Sequence, residues 1–151
     1  MSWATCTEGH AHWGPRGAAG LLVARGGAAL LQLRARWAHQ GGTWSIPGGA
    51  IERHESSVEA ALREAEEELG LTASTVTVQG LWTADCGGWT YKTVLAAPTT
   101  AELELRDLAE SAGHAWVPAA DVEGHHLHPA FRAAWTNPDG VLRDFVSRSG
   151  Q

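Results

Sequence analysis

Two apolar runs open the hydrophobic pattern of the chain. Ala18–Arg25 and Ala28–Arg34 are rich in Ala, Leu and Val, and the pair Gly26-Gly27 separates them. Because adjacent glycines favour a tight turn between apolar strands, this pattern predicts a β-hairpin. Before about residue 17 no clear periodicity is visible. The polar and aromatic stretch 35–43 predicts a loop.

An amphipathic helix is predicted next. Its apolar side chains recur at intervals of one, three and four residues, at Val58, Ala61, Leu62, Ala65 and Leu69. Such spacing places them on one face of a helix. Ser56 and Glu59 form an S-x-x-E capping box, and Gly70 provides a C-terminal cap. The helix therefore spans about residues 57 to 69.

The rest of the chain contains shorter elements. Four strands are predicted, at 44–46, 75–83, 89–97 and 114–117. The first ends at Pro47-Gly48-Gly49, and residues 85–88 form a turn. Residues 98–113 show a weak helical pattern, and short helices are predicted at 129–135 and 141–146. The order β-β-β-α-β-β-β-α predicts one α/β domain, 1–151, with helices on the faces of a mixed sheet.

The acidic charge is concentrated in one segment. The chain has 151 residues, 17 acids and 11 bases, for a net charge of −6. Residues 49–71 hold seven of the acids and only two of the bases. Repulsion by an acidic chain disfavours nucleic acid polymers and anionic membranes as partners. No long apolar stretch or signal-peptide pattern is visible, so a cytoplasmic protein is expected.

Three carboxylates share one face of the predicted helix. At 100° per residue, Glu64, Glu67 and Glu68 occupy a sector of about 100° within about one turn. Like charges at these spacings destabilise a helix, and the dipole at its C-terminal end adds to the penalty. A bound hard divalent cation turns this repulsion into a net attraction, because Mg²⁺ and Mn²⁺ prefer carboxylate oxygens. The spacing indicates a cation site as an alternative to a solvated charged face.

Residues 49–71 also resemble a family signature. Gly49, Glu55, Arg63-Glu64, Glu67-Glu68 and Leu69-Gly70-Leu71 stand at the spacing of the Nudix box. The box usually has a larger aliphatic residue where this chain has Ala65. The stretch 44–48 resembles the usual lead-in, and the resemblance extends over about residues 17–135. The chain is thereby identified as a MutT-like member of the Nudix hydrolase family.

This resemblance implies a fold, a chemistry and a set of residues. Nudix proteins are α/β/α sandwiches that hydrolyse a nucleoside diphosphate linked to another moiety, using Mg²⁺ or Mn²⁺. The metal ligands implied are the Gly49 carbonyl and the carboxylates of Glu64, Glu67 and Glu68. Arg63 would orient these carboxylates, and Glu55 would support them or act as an outer ligand.

The identity of the general base stays open. A carboxylate within hydrogen-bond reach of the attacking water would take its proton. Glu67 or Glu64 is favoured, and Glu110, on the loop before the strand that contains Trp116, comes second. His114 is a further candidate.

Substrate contacts are predicted from side-chain chemistry alone. Arg34 and Arg36 flank a loop and could bind phosphate, although a solvated charge explains them equally well. Trp37, Trp89 and Tyr91 lie near loops and could stack on a base, with simple packing as the alternative.

The length of the chain and the absence of a proline shortly after the box indicate the class of substrate. No proline occurs between Leu71 and Pro98, which disfavours ADP-ribose. We expect a nucleoside or deoxynucleoside triphosphate, with oxidised purines among the candidates. The alternatives are ADP-ribose, nucleotide sugars and dinucleoside polyphosphates or, in another class, a catalytically silent nucleotide-binding module. A homodimer stays open.

A second group of metal-ligating residue types lies outside this signature. Cys6, His10 and His12, with Cys86 as a fourth ligand, are candidates for a zinc cluster. Their C-x3-H-x-H spacing is not a standard zinc pattern, so the sequence does not favour this interpretation.

Overall fold

The computed structural model describes residues 3–151, except for the side chain of Trp13. The strands in this range are β1 (Trp3–Thr5), β2 (Ala11–Trp13), β3 (Ala18–Arg25), β4 (Ala28–Arg34), β5 (Trp44–Ser45), β6 (Gly48–Ala50), β7 (Val76–Cys86), β8 (Trp89–Pro98) and β9 (Ser111–Pro118). The helices are α1 (Ser57–Leu69), α2 (Pro129–Trp135) and α3 (Val141–Arg148). None of these helices is long and apolar enough to cross a membrane.

The hairpin of β3 and β4 organises the central sheet. The two strands pair only beside their glycine turn, through Ala24 with Ala29 and Arg25 with Ala28. Beyond that point β3 pairs in parallel with β8 and antiparallel with β6, while β4 pairs antiparallel with β5 and β9. β7 then pairs antiparallel with β8. The predicted hairpin and mixed sheet are confirmed.

Two hydrophobic layers cover the faces of this sheet. On β3, Leu21 and Val23 pack with α1, whereas Leu22 and Ala24 pack in the layer that contains α2 and α3. This alternation follows from the two-residue repeat of a strand whose two faces are both buried. The result is the predicted α/β/α sandwich.

Helix α1 has the predicted bounds and caps. The hydroxyl of Ser56 accepts a hydrogen bond from the Glu59 backbone, and the Glu59 carboxylate accepts one from the Ser56 backbone. Gly70 ends the helix at φ 67°, a left-handed conformation that favours glycine. Ala60, Ala61, Ala65 and Leu69 are buried, and the three small alanine side chains let the helix approach the sheet closely.

The structure corrects the sequence-based prediction in four places. The short hairpin β1–β2 was not predicted, because strands of three residues show no measurable periodicity. Gly48 belongs to strand β6 rather than to a break; a Cβ there would lie 2.7 Å from the Ala19 carbonyl oxygen, so the pairing requires glycine. Cys86 ends β7, leaving Gly87-Gly88 as the turn. Residues 99–110 contain no helix.

Candidate active site

A buried carboxylate, that of Glu68, lies between α1 and the sheet. Its Oε1 accepts a 2.7 Å hydrogen bond from Nε2 of Gln32 on β4, and its Oε2 accepts a 3.0 Å bond from the Gly48 backbone on β6. Burial raises the pKa of Glu68 to about 8; the hydrogen bond from Gln32 opposes this rise, and the charge of Glu64 adds to it. In the metal-free chain this carboxyl therefore holds a proton near neutral pH.

Glu64 lies beside Glu68 on the same face of α1. The two side chains are hydrogen-bonded to each other, and burial raises the pKa of Glu64 against the opposing charge of Arg63. Its carboxylate lies against the backbone of Gly49, where a Cβ would stand 2.5 Å from Oε1. A side chain at residue 49 would thus displace this carboxylate. Two adjoining carboxyls whose pKa values are raised by burial in the metal-free chain provide a donor set that suits a divalent cation.

Arg63 links most of the acidic groups around the site. Its Nε and Nη2 donate to both oxygens of Glu55, at 2.7 and 3.0 Å, and Nη2 also donates to the Ala50 carbonyl at 3.1 Å. Its Nη1 donates to Oε1 of Glu64 at 2.9 Å and lies 3.4 Å from both oxygens of Glu67. The bidentate bond to Arg63 is the main cause that lowers the pKa of Glu55.

Glu67 is the carboxylate of this cluster that is open to solvent. Its side chain is 55% exposed, compared with 16% for Glu64. Its contact with Arg63 is long, so its oxygens remain available to a ligand. The carboxylates of this cluster thus range from Glu68, which is buried and held by two donors, to Glu67, which is accessible to solvent.

Glu110 and Arg34 form an ion pair beside this cluster. Arg34 Nη2 lies 3.2 Å from Glu110 Oε2, and the Arg34 side chain is mostly buried while Glu110 is half-exposed. The charge of Arg34 counters a small part of the pKa rise of Glu68. His114, the further candidate base, is instead paired with Asp107 through a 2.9 Å contact.

The remaining predicted substrate residues are spread more widely. Trp37 is 74% exposed, and Arg36 beside it is also exposed. Tyr91 has its hydroxyl near Gly20 and Gly48, and burial raises its pKa. One face of Trp89 stacks on His12, with ring centroids 4.1 Å apart. Their roles in substrate binding stay predictions.

Gln32 is the polar site residue that sequence reasoning missed. It is fully buried on β4, and its Oε1 has no hydrogen-bond partner among the described residues. The available signal was alternation: Leu30, Gln32 and Arg34 face the same side of β4, and Leu30 packs with α1. A polar residue inside an apolar run on that face would have pointed to α1.

The fold and this cluster together define an α/β/α domain built around an acidic site on one helix. The model of the NUDIX domain matches residues 14–140. The chain therefore belongs to the Nudix family of hydrolases, which act on pyrophosphate bonds.

Two curated relatives carry names related to nucleotide hydrolysis. A Mycobacterium tuberculosis protein named "Putative 8-oxo-dGTP diphosphatase 3" is 43% identical over 147 residues, which cover 88% of this chain and 66% of that protein. A Bifidobacterium longum protein named "Nucleoside triphosphate pyrophosphatase/Nudix hydrolase fusion protein" is 40% identical, over 88% of this chain and 30% of that protein. The chain thus spans less than two thirds of the length of these relatives.

Solved structures support the same family. The chain is similar to the crystal structure of the Nudix hydrolase RenU from M. smegmatis, with a TM-score of 0.82 and 41% identity over 93% of both chains. It also shares its fold with a C. elegans Ap4A hydrolase, with a TM-score of 0.64 and 22% identity over 87% of this chain and 96% of the other.

Proposed function

We propose that this protein is a divalent-cation-dependent pyrophosphohydrolase of nucleoside or deoxynucleoside triphosphates, with oxidised purine nucleotides as the leading substrates. The observation that carries this proposal is the graded carboxylate cluster of Glu64, Glu67 and Glu68 on one helix face. The expected products are a nucleoside monophosphate and pyrophosphate.

The carboxylates of Glu64, Glu67 and Glu68, with the Gly49 carbonyl, would hold Mg²⁺ or Mn²⁺. The close approach of Gly49 to Glu64 and the hydrogen-bonded pair of Glu64 and Glu68 support this assignment. A bound cation would neutralise phosphate charge and lower the pKa of a bound water. Arg63 holds Glu64 and Glu55 in fixed orientation, so this arginine acts by positioning.

Glu67 is our first candidate for the proton acceptor. It is the most exposed carboxylate of the cluster and is not held by a short hydrogen bond. Glu64 comes next, because its Oε1 already accepts from Arg63 at 2.9 Å. Glu110 remains the alternative outside the helix, where its ion pair with Arg34 restrains it.

The names of the relatives support the choice of substrate. One is named for 8-oxo-dGTP and another for nucleoside triphosphates. Arg34 lies close enough to Glu68 to affect its pKa, so it is the predicted phosphate contact best placed beside the carboxylates. We therefore rank Arg34 above the exposed Arg36. A cytoplasmic location and a homodimer stay predictions.

A panel of nucleotides tests the proposal. The chain is incubated with Mg²⁺ or Mn²⁺ and with 8-oxo-dGTP, the ordinary triphosphates, ADP-ribose, a nucleotide sugar and a dinucleoside polyphosphate. We expect the highest kcat/KM for 8-oxo-dGTP, lower values for the ordinary triphosphates, and pyrophosphate as product. Preference for ADP-ribose or another diphosphate would overturn the substrate assignment. Nucleotide binding without turnover of any compound would instead favour a silent binding module.

A further inference from the structure

Four metal-ligating side chains converge at the hairpin β1–β2, away from the carboxylate cluster. They are Cys6, His10 and His12 from this hairpin and its loop, and Cys86 from the end of β7. One ligand atom from each lies within 4.8 Å of the other three. The two Sγ atoms are 3.2 Å apart, and Nδ1 of His10 is 3.1 Å from Sγ of Cys86. These are the only two cysteines of the chain.

The backbone holds the two halves of this cluster together. The loop of the hairpin is closed by a 3.0 Å bond from the Cys6 amide to the His10 carbonyl. It is tied to the β7–β8 turn by a 3.0 Å bond from the Thr7 amide to the Gly87 carbonyl. A Cβ on Gly87 would lie 2.7 Å from the Thr7 nitrogen, so this close approach requires glycine. The convergence thus follows from the packing of two hairpins.

The donor set and its dimensions suit zinc. Two thiolates and two imidazoles form one of the tetrahedral sets that Zn²⁺ prefers, with Zn–S bonds near 2.3 Å. A tetrahedron with those bonds has S–S edges of about 3.8 Å, so the two Sγ atoms, 3.2 Å apart, would separate by about 0.6 Å on binding the ion, a small side-chain adjustment.

One imidazole nitrogen of the cluster adds an independent observation. Nε2 of His12 is buried and has no hydrogen-bond partner among the described residues. A buried polar atom of this kind is costly unless a ligand or partner satisfies it.

We propose that Cys6, His10, His12 and Cys86 form a structural zinc site that fastens the hairpin β1–β2 to the Nudix domain. Three of the four ligands precede residues 14–140, the range that matches the family model, while Cys86 lies inside it. The site is chemically distinct from the carboxylate cluster, because zinc favours sulfur and nitrogen whereas Mg²⁺ and Mn²⁺ favour oxygen.

The zinc site would also stabilise one edge of the catalytic domain. His12 stacks on Trp89, and Nε1 of Trp89 donates a 2.7 Å hydrogen bond to the Gly14 carbonyl. Two residues further along β8, Tyr91 has its hydroxyl close to Gly48. An ion bound by His12 would therefore also restrain the Trp89 side chain at the start of β8.

Cobalt titration tests the donor set directly. The chain is stripped of metal and reduced, and a thiol assay on a separate sample verifies that both cysteines are free. The remaining protein is then titrated with Co²⁺ in excess Mg²⁺. We expect thiolate-to-cobalt charge-transfer absorption that saturates at one ion per chain and disappears when Zn²⁺ displaces the cobalt. The carboxylate cluster cannot produce this absorption, because it contains no sulfur.

Matched variants decide which residues bind. Cys6→Ser and Cys86→Ser should each lose at least half of the charge-transfer absorption, because each removes one of two thiolates, and the double variant should lose all of it. His12→Gln should weaken Co²⁺ binding. His126→Ala, an exposed histidine outside the cluster, should bind Co²⁺ as the wild type does. Fully reduced wild-type protein without charge-transfer absorption would overturn the proposal. Undiminished absorption in both single cysteine variants would overturn it as well.

A stability measurement on the wild type covers the case in which a variant fails to fold. In excess Mg²⁺, one equivalent of Zn²⁺ should raise the thermal midpoint of the reduced, metal-stripped wild type, and a zinc chelator should reverse the shift. A midpoint that does not respond to Zn²⁺ contradicts a structural site. So does the finding that the two cysteines of the natively expressed chain form a disulfide and that no zinc is bound.

Discussion

Nε2 of Gln32 donates a 2.7 Å hydrogen bond to Oε1 of Glu68, joining strand β4 to the buried end of the acidic face of α1. The Gly48 backbone donates to the other oxygen of the same carboxylate. Glu68 is thus oriented from two strands before any ligand binds. We expect this orientation, rather than local helix chemistry, to set the affinity of the site for its cation.

Replacing Gln32 by Met should impair cation activation without unfolding the protein. The variant removes a donor to a proposed metal ligand, and loss of such a partner typically costs about 10- to 100-fold in metal affinity or activity. Stability should fall by no more than about 1–3 kcal/mol, because Oε1 of the buried Glu68 loses its donor while removal of the unpaired Oε1 of Gln32 offsets part of that cost. Activity measured against Mn²⁺ concentration checks this expectation, with the exposed Gln79→Met as control. An unchanged activation constant would contradict it.

Replacing Arg63 by Lys should disturb several carboxylates at once. A lysine cannot reproduce the two parallel bonds to Glu55 while also reaching Glu64. We expect hydrolysis to fall about 10- to 100-fold, as for other residues that orient ligands. The matched control is Arg53→Lys, an exposed arginine just before α1. Equal activity in the two variants would show that Arg63 does not position the site.

Glu67→Gln should abolish most metal-dependent hydrolysis and leave the fold intact. Loss of a proton acceptor costs about 10²- to 10⁴-fold in rate, and the half-exposed Glu67 contributes little to packing. Glu68→Gln should also abolish hydrolysis. Glu66→Gln is the control, because Glu66 is exposed on α1 about 200° around the helix from Glu64. Full activity in both the Glu67 and Glu68 variants would exclude this site.

The stability of the metal-free protein should depend on pH through Glu68. Burial raises the folded pKa of Glu68 to about 8, above roughly 4.3 in an unfolded chain. Stability from this group is therefore fully present below about pH 4 and is lost as pH rises to about 8. We expect the thermal midpoint to fall between about pH 6 and pH 8, and Glu68→Gln to reduce the slope. An identical slope in wild type and variant would contradict this assignment.

Trp37 provides a test of base stacking. If its exposed ring stacks on the nucleobase, Trp37→Ala should raise KM about 5- to 150-fold, because that factor corresponds to the free energy of one base–aromatic stacking contact. The kcat should change little. Steady-state kinetics on the preferred substrate measure the effect. Trp3→Ala, another exposed tryptophan, is the control. Equal KM values in the two variants would show that Trp37 does not bind the substrate.

Local sequence signals determined the helix, the hairpin and the acidic face. The capping box at Ser56, the left-handed Gly70 and the spacing of Glu64, Glu67 and Glu68 all act within a few residues. The geometry of a single helix therefore predicts them, and the Nudix box then indicates the family.

Tertiary packing alone decided the partners of these residues. Gln32 meets Glu68 across 36 positions, and Cys6 meets Cys86 across 80. No local pattern in the sequence predicts either contact, because each depends on how elements far apart in the chain pack against one another. The same packing buries Glu68 and leaves Glu67 exposed. Identical side chains on neighbouring positions of one helix thus differ in accessibility, since burial depends on what covers the helix.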